Sequence, residues 1–224
     1  MEDTKPSGAE RIQGCIFDLD GTLLDTLDDL ADCANSALEE TGFAPHPVDA
    51  YRFFVGDGME TLMRRAAPGE AGEDALKRLA ACMRDTYAMG WAVKTKPYPG
   101  IPDMLEKLAA MGLRLGVLSN KPHDFTLLTV RHFFPGIPFA RVQGSPQGGK
   151  AKPDPALALA MAGELGLRPG QVLFLGDSST DMDTAMAAGM RPVGAGWGFR
   201  PEEELKKHGA KSVLARPEQI FTLL

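Results

Sequence analysis

Three nearly unbroken apolar runs constrain the fold of this chain more than any other feature: IQGCIFDL (12–19), LRLGVLS (113–119) and QVLFLGD (171–177). A strand with one face in water alternates apolar and polar residues. A strand covered on both faces need not, and that is the habit of parallel strands. Two further β-type runs, FARVQG (139–144) and RPVGAG (191–196), join them, and the spacing predicts helices over 101–111, 122–133, 154–165 and 180–188. Pro102 and Pro155 near the first helical position, and Asp154 as an N-cap, suit helix starts. Gly112, Gly166 and Gly189 suit helix stops. Strand alternating with helix implies an α/β fold, a doubly wound, Rossmann-like parallel sheet with right-handed crossovers.

Residues 24–96 break the alternation. Apolar residues fall at helical spacing over 27–40, 57–67 and 72–90, and no strand is expected among them. The segment reads as an α-helical cap inserted after the first strand, over a core made of 1–23 and 97–224. The proline-rich KTKPYPG (94–100) is a stiff link back into that core.

Composition narrows the class of partner. A net charge of −6 and a pI near 5.3 argue against a nucleic-acid-binding surface, though a local cluster of basic residues still suits a small anion. No apolar run approaches the roughly 18 residues of a membrane span. The opening MEDTKPSGAE is polar and reads as neither a secretory signal nor a transit peptide. The 3 cysteines are odd in number and lack metal-ligand spacing, which fits reduced thiols and a cytoplasmic location. Monomer and homodimer are both left open.

In an open α/β sheet, ligands bind beyond the carboxyl ends of the strands. Asp18 and Asp20 end the first run, Ser119 and Asn120 the second, and Asp177 the fourth, while Lys152 lies in the loop after the third. Carboxylates gathered at one edge repel each other unless a cation meets them. Oxygen ligands with no His or Cys nearby favour Mg²⁺. Asp18 and Asp177 are the expected direct ligands, with Asp181 close enough to bind directly or in support, and Lys152 supplies a fixed positive charge. Such a site suits phosphoryl transfer, which needs positioning and positive charge around three equatorial oxygens. The Ser119 hydroxyl, beside Asn120, and Lys152 would hold the phosphate. Asp18 would attack phosphorus. Asp20 would protonate the leaving oxygen and then deprotonate water, which asks for a pKa near neutral, raised by negative neighbours.

Lys152 is preferred to Lys150 by its Lys-Pro-Asp-Pro context. GSPQGGKA ends in Ala151 where a P-loop needs Ser or Thr, so no nucleotide loop is read there. GAGWG (194–198) lacks dinucleotide-fingerprint spacing and is expected to be a plain loop. In the cap, Gly56, Asp57 and Gly58 are expected to form a helix-opening loop facing the site. Arg52, Arg64 and Arg65 are in the right segment to meet a substrate carboxylate or second phosphate, but each is read first as a solvated surface charge.

DLDGTLLDT, SNK, AKPDP and GDSSTD, in that order, resemble the four motifs of the haloacid dehalogenase-like hydrolase superfamily, from about residue 12 to the C-terminus. The helical insertion resembles that family's C1-type cap. A second aspartate in the first motif marks phosphatases and mutases, and Asp20 occupies that position, which argues against dehalogenation. YRFFVGDGMETLMRRA, PYPG, SNKP and the tail from Gly194 are similar to the phosphoglycolate phosphatase-like branch. The resemblance implies Asp18 as nucleophile and Asp20 as acid and base, with Mg²⁺ on Asp18, Asp177 and the Asp20 backbone carbonyl. It places Ser119 and Lys152 on phosphate. The implied activity is hydrolysis of a small phosphorylated metabolite through an aspartyl-phosphate, with 2-phosphoglycolate first among substrates. A sugar-phosphate mutase, a pyrophosphatase, a 5′-nucleotidase and a non-catalytic phospho-ligand binder are the alternatives.

Overall fold

The computed structural model describes residues 10–224. The opening segment, read above as neither signal nor transit peptide, lies largely outside the described residues. Strand β1 (Gly14–Phe17) is fully buried and sits mid-sheet, paired in parallel with β4 (Arg114–Pro122) on one side and β6 (Val172–Gly176) on the other. With β5 (Phe139–Ser145), β7 (Arg191–Ala195) and β8 (Ser212–Leu214), the six-stranded order is β5-β4-β1-β6-β7-β8. Every pairing in this sheet is parallel. Chain direction across the sheet reverses at β1, so the crevice above its carboxyl end is the topological switch point where ligands bind in such folds.

The apolar runs lack alternation because both sheet faces are covered. Cys15, Phe17, Leu173 and Leu175 point into a core shared with helix α5 (Ile101–Ala110) and residues of α6 (His123–Phe133). Ile16, Val172 and Phe174 point the other way, onto α7 (Ala156–Glu164) and α8 (Ser179–Ala187). Gly112, Gly166 and Gly189, just beyond helix ends, have φ of +80°, +65° and +70°, as helix stops require.

Between β1 and α5 lie α1 (Leu27–Glu40), α2 (Tyr51–Phe54), α3 (Met59–Ala66) and α4 (Glu73–Gly90), which share a third core of their own. Phe125 of α6 and Phe199 enter it from the sheet side. The expectation of no strand between 24 and 96 needs correcting. Strands β2 (Leu24–Asp25) and β3 (Lys96–Pro97) pair antiparallel where the chain leaves and rejoins the sheet. Two residues are too few to show a period, so pattern reading passes over them. Asp154 is likewise not the N-cap of α7, which begins one residue later than that role allows; its Oδ1 instead accepts the Ala156 N–H at 2.9 Å, and Pro155 holds the cap position. Strand β8 and helix α9 (Glu202–Lys207) were not foreseen from the sequence.

The return of the chain is fastened by Asp29 on α1. This buried carboxylate accepts the N–H groups of Val93, Lys94 and Thr95 at 2.8–3.0 Å and the Thr95 hydroxyl at 2.7 Å. Hydrogen bonds to a charged group stabilise by roughly 1.5–3 kcal/mol each, and orphaned buried donors carry the full desolvation penalty. Asp29→Ala should therefore lower stability by about 3 kcal/mol, read as a fall in the urea midpoint. A midpoint within error of the parent protein would refute the assignment.

Candidate active site

The carboxyl ends of β1, β4 and β6, with the loop after β5, bring four carboxylates and two ammonium groups into one cluster. Asp18 follows β1 directly and extends its pairing, its N–H donating to the Leu175 carbonyl at 2.9 Å. Asp177 follows β6, and Asp181 lies in the first turn of α8. One oxygen from each of Asp18, Asp177 and Asp181 falls within 4.8 Å of the others, all three residues being buried. At an effective dielectric near 20, two full charges at that separation repel by about 3.5 kcal/mol.

Lys152 meets two of the three. Its Nζ lies 2.8 Å from Asp18 Oδ1 and 2.6 Å from Asp181 Oδ1, with its side chain only 2% exposed. Lys150 points outward to Asp154, so the Lys152 assignment matches the burial. The other Asp181 oxygen accepts the N–H and hydroxyl of Ser178, the N-cap of α8. Both Asp181 oxygens are thus occupied, which makes Asp181 a holder of Lys152 more than a free ligand. Asp177 receives only neutral donors, the Thr22 hydroxyl at 3.1 Å and the Phe199 N–H at 2.8 Å.

Asp20 departs from the sequence reading. Its expected neighbours were negative, yet both its oxygens lie 2.9 Å from Nζ of Lys121, a buried residue that the sequence reading left without a role. Lys121 sits near the end of β4, so the strand that delivers Ser119 and Asn120 also delivers a cation. Its signal was a lysine continuing an apolar strand, where a solvated side chain has no room. Ser119 is buried at the same end and its Oγ accepts the Lys121 N–H. Asn120 joins three segments: Nδ2 donates to the carbonyls of Gly56 and Lys152, and Oδ1 accepts the Lys152 N–H.

GAGWG is more than a plain loop. Phe199, just after it, supplies the N–H on Asp177, and Trp197 Nε1 donates to the Thr22 carbonyl at 3.0 Å. A Cβ on Gly198 would lie 2.2 Å from the Asp177 Cβ, and one on Gly21, where φ is +83°, 2.2 Å from Asp177 Oδ2. The backbone reaches the carboxylate this closely because neither residue has a side chain.

Gly56 and Gly58 line a small cavity, about 40 Å³, between the helical insertion and the sheet edge, and Asp18, Asp20, Ser119, Asn120 and Lys121 line it from below. Asp57 turns away: it accepts the Thr180 hydroxyl at 2.7 Å and pairs with Arg65. Arg65 is therefore a brace for this loop and not a free surface charge, while Arg52 and Arg64 pair with Asp49 and Glu73 at the surface. Arg200, missed in the sequence, donates to the carbonyls of Phe53 and Val55 at 3.2 Å and ties the loop down from the β7 side.

Electrostatics decide what the cluster can hold. Burial, then Asp181, pushes the Asp18 carboxyl up to about 7, with Lys152 pulling against them. Burial, then Asp181 and Asp18, holds Asp177 well above the carboxylate range. For Lys152, burial pulls the ammonium down, but Asp18 and Asp181 reverse this and keep it firmly charged. With all six groups ionised, two negative charges stay uncompensated. Asp18 Oδ1, moreover, is buried with no aligned hydrogen-bond donor. A hard divalent cation on oxygen ligands would supply the missing charge. Asp18 and Asp177 would hold it, Asp177 meeting only neutral donors, with Asp181 in the same 4.8 Å group.

A family model described as haloacid dehalogenase-like hydrolase matches residues 15–195, most of the chain and every motif just placed. The chain belongs to that family. It is 33% identical over 199 residues to a phosphoglycolate phosphatase of Psychrobacter arcticus, covering 86% of each. It is 37% identical over 189 residues to one of Pseudomonas putida, covering 82% of this chain and 69% of the relative. A solved structure from Lactobacillus delbrueckii, provisionally assigned as a phosphoglycolate phosphatase, superposes with a TM-score of 0.87 at 29% identity, over 94% of this chain and 97% of the other. The α/β sheet with its helical insertion is thus the family's fold. No helix among the described residues is long and apolar enough to cross a membrane.

Raised carboxyl pKa values give the metal-free protein a signed pH dependence. Between about pH 4 and about pH 7 the folded state keeps protons that the unfolded chain has lost, so stability falls as pH rises. A divalent cation replaces those protons. The rise in Tm on adding one should therefore grow from pH 5 to pH 8 in thermal melts. An equal rise at both pH values would count against the carboxylate cluster as the binding site.

Proposed function

We propose that this protein is a Mg²⁺-dependent phosphomonoesterase that hydrolyses a small phosphorylated metabolite through an aspartyl-phosphate, with 2-phosphoglycolate as the leading substrate. The observation that carries this reading is the buried Asp18–Lys152–Asp181 and Asp20–Lys121 pairing beside Asp177, at the switch point of the sheet. The names of the relatives favour the substrate.

Each residue has a part. Asp18 attacks phosphorus through a carboxylate oxygen, the bond to the leaving oxygen breaks, and Asp20 gives that oxygen its proton. Asp20 then takes a proton from the water that attacks the acyl phosphate, so Asp18 is regenerated and inorganic phosphate leaves. Lys152 neutralises phosphoryl oxygens and the Ser119 hydroxyl orients them, while the Asn120 carboxamide, expected on phosphate, is spent on the backbone of Gly56 and Lys152 and holds the Lys152 loop in place. Mg²⁺ held by the Asp18 and Asp177 carboxylates and the Asp20 carbonyl would add positive charge at the transferring group. Asp181 keeps Lys152 in place. Residues 24–96 act as the cap over a core of 1–23 and 97–224, and its Gly56–Gly58 loop shields the site from water. A closed, water-poor site strengthens each of these electrostatic terms.

The test is phosphate release with Mg²⁺ from a panel of 2-phosphoglycolate, sugar phosphates, nucleotides and pyrophosphate. The protein should release phosphate, fastest from 2-phosphoglycolate, and Asp18→Asn should reduce kcat by at least about 10³-fold while its circular dichroism stays that of the parent. Undiminished turnover by the Asn variant rules out the nucleophile. Phosphate conserved on a sugar would mark a mutase.

A further inference from the structure

Lys121 and Tyr87 are the polar features of the cavity that the chemistry above leaves unexplained. Tyr87, on α4, is fully buried, and among the described residues its hydroxyl has no well-aligned hydrogen-bond partner, although the Lys121 ammonium lies beside it. Buried hydroxyls are normally satisfied, so an orphan in a cavity wall calls for a reason. The Tyr87 ring packs edge-on against Phe125 at 5.1 Å, and the Lys121 ammonium lies 4.7 Å from its centroid. Burial holds the phenol above its ordinary pKa, so at neutral pH it carries a proton to donate. Lys121 brings three N–H donors. That ammonium pairs with Asp20, and Lys121, Asp20 and Tyr87 all line the cavity.

The rest of the upper wall is apolar: Leu30, Val55, Met59, Leu62 and Met83. A sugar bound there would leave hydroxyls without partners, which costs roughly 1–3 kcal/mol each. A compact group that ends in two acceptor oxygens would instead meet a cation and a hydroxyl donor, with apolar walls along its short stem.

We propose that Lys121 and Tyr87 form the specificity end of the substrate site, selecting a short phosphomonoester whose organic end carries a carboxylate. The inference rests on the phosphomonoesterase reading and narrows its substrate class. It makes the junction between α4 and β4 the place where that carboxylate is recognised. Because Lys121 also holds Asp20, the residue that recognises the substrate's organic end touches the one that protonates the leaving oxygen.

The test compares two esters of similar size, 2-phosphoglycolate and ethyl phosphate, with Mg²⁺ present. The parent protein should prefer the carboxylated ester by at least about tenfold in kcat/KM, the scale of one charged hydrogen bond. Tyr87→Phe, which removes one oxygen, and Lys121→Met should shrink that ratio by about fivefold or more, chiefly by raising KM for 2-phosphoglycolate. Lys121→Arg should keep part of it. A merely structural role for either residue would slow both esters alike and leave the ratio where it was. Calorimetry of 2-phosphoglycolate binding to Asp18→Asn protein, with and without Tyr87→Phe, reads the subsite without turnover. Weaker binding in the double variant supports the subsite even if the parent protein proves inactive, a result that would sink only the catalytic reading. A parent ratio near one, or a ratio and an affinity that survive Tyr87→Phe, would overturn the inference.

Discussion

The ammonium of Lys152, lodged between Asp18 at 2.8 Å and Asp181 at 2.6 Å, is the contact that lets the rest of the carboxyl edge exist. Taking charges out of water costs several kcal/mol per ion, and only good geometry with further hydrogen bonds offsets that cost. The protein meets the condition by layering. Asp181 is held by the N-cap serine of α8, Lys152 is held by Asp181 and by its backbone bonds to Asn120, and Asp18 is held by Lys152. Asp181 is thus more deeply set than the Lys152 it fixes, and Lys152 more deeply set than Asp18. Asp18, which lines the cavity, and Asp177, which meets only neutral donors, are the ones left short of positive charge.

That layering also explains why the helical insertion sits where it does. Loops from β1, β4, β5, β6 and β7 converge there, and residues of the insertion face Asp18, Asp20 and Ser119 across the cavity. Its fastening uses backbone carbonyls of Phe53, Val55 and Gly56, reached by Arg200 and Asn120 from the sheet side. Side chains of the insertion contribute mainly apolar wall, with Tyr87 the polar exception.

Much of this was legible in the sequence, for identifiable reasons. Unbroken runs such as CIF and VLFL announce strands covered on both faces, and fold rules then put Asp18, Ser119 and Asp177 at one edge. Asp18, Asp177, Asp181 and Lys152 followed from charge, because clustered carboxylates demand a counter-charge. What escaped notice has a common character: contacts that no residue type advertises. The N–H of Phe199 on Asp177 is backbone, and so are the carbonyls that Arg200 reaches. Lys121 is a surface residue by composition and a buried one by position. Asp57 kept its place in the loop but not its direction, since Thr180 and Arg65 bind it more closely than the cavity does. Strands of two residues, and an aspartate that bonds a helix from just outside it, lie below what periodicity and capping rules resolve.

Asn120 has a further meaning for movement. One planar carboxamide holds the backbone on both sides of Lys152 and, through the same nitrogen, the Gly56 carbonyl of the insertion. These segments are far apart in the chain yet share a single rigid plate, so they have fewer independent degrees of freedom than their loops suggest. Two of the three bonds on that plate run to Lys152 and one to the insertion, so the register of the Lys152 loop does not hang on the contact with the insertion alone.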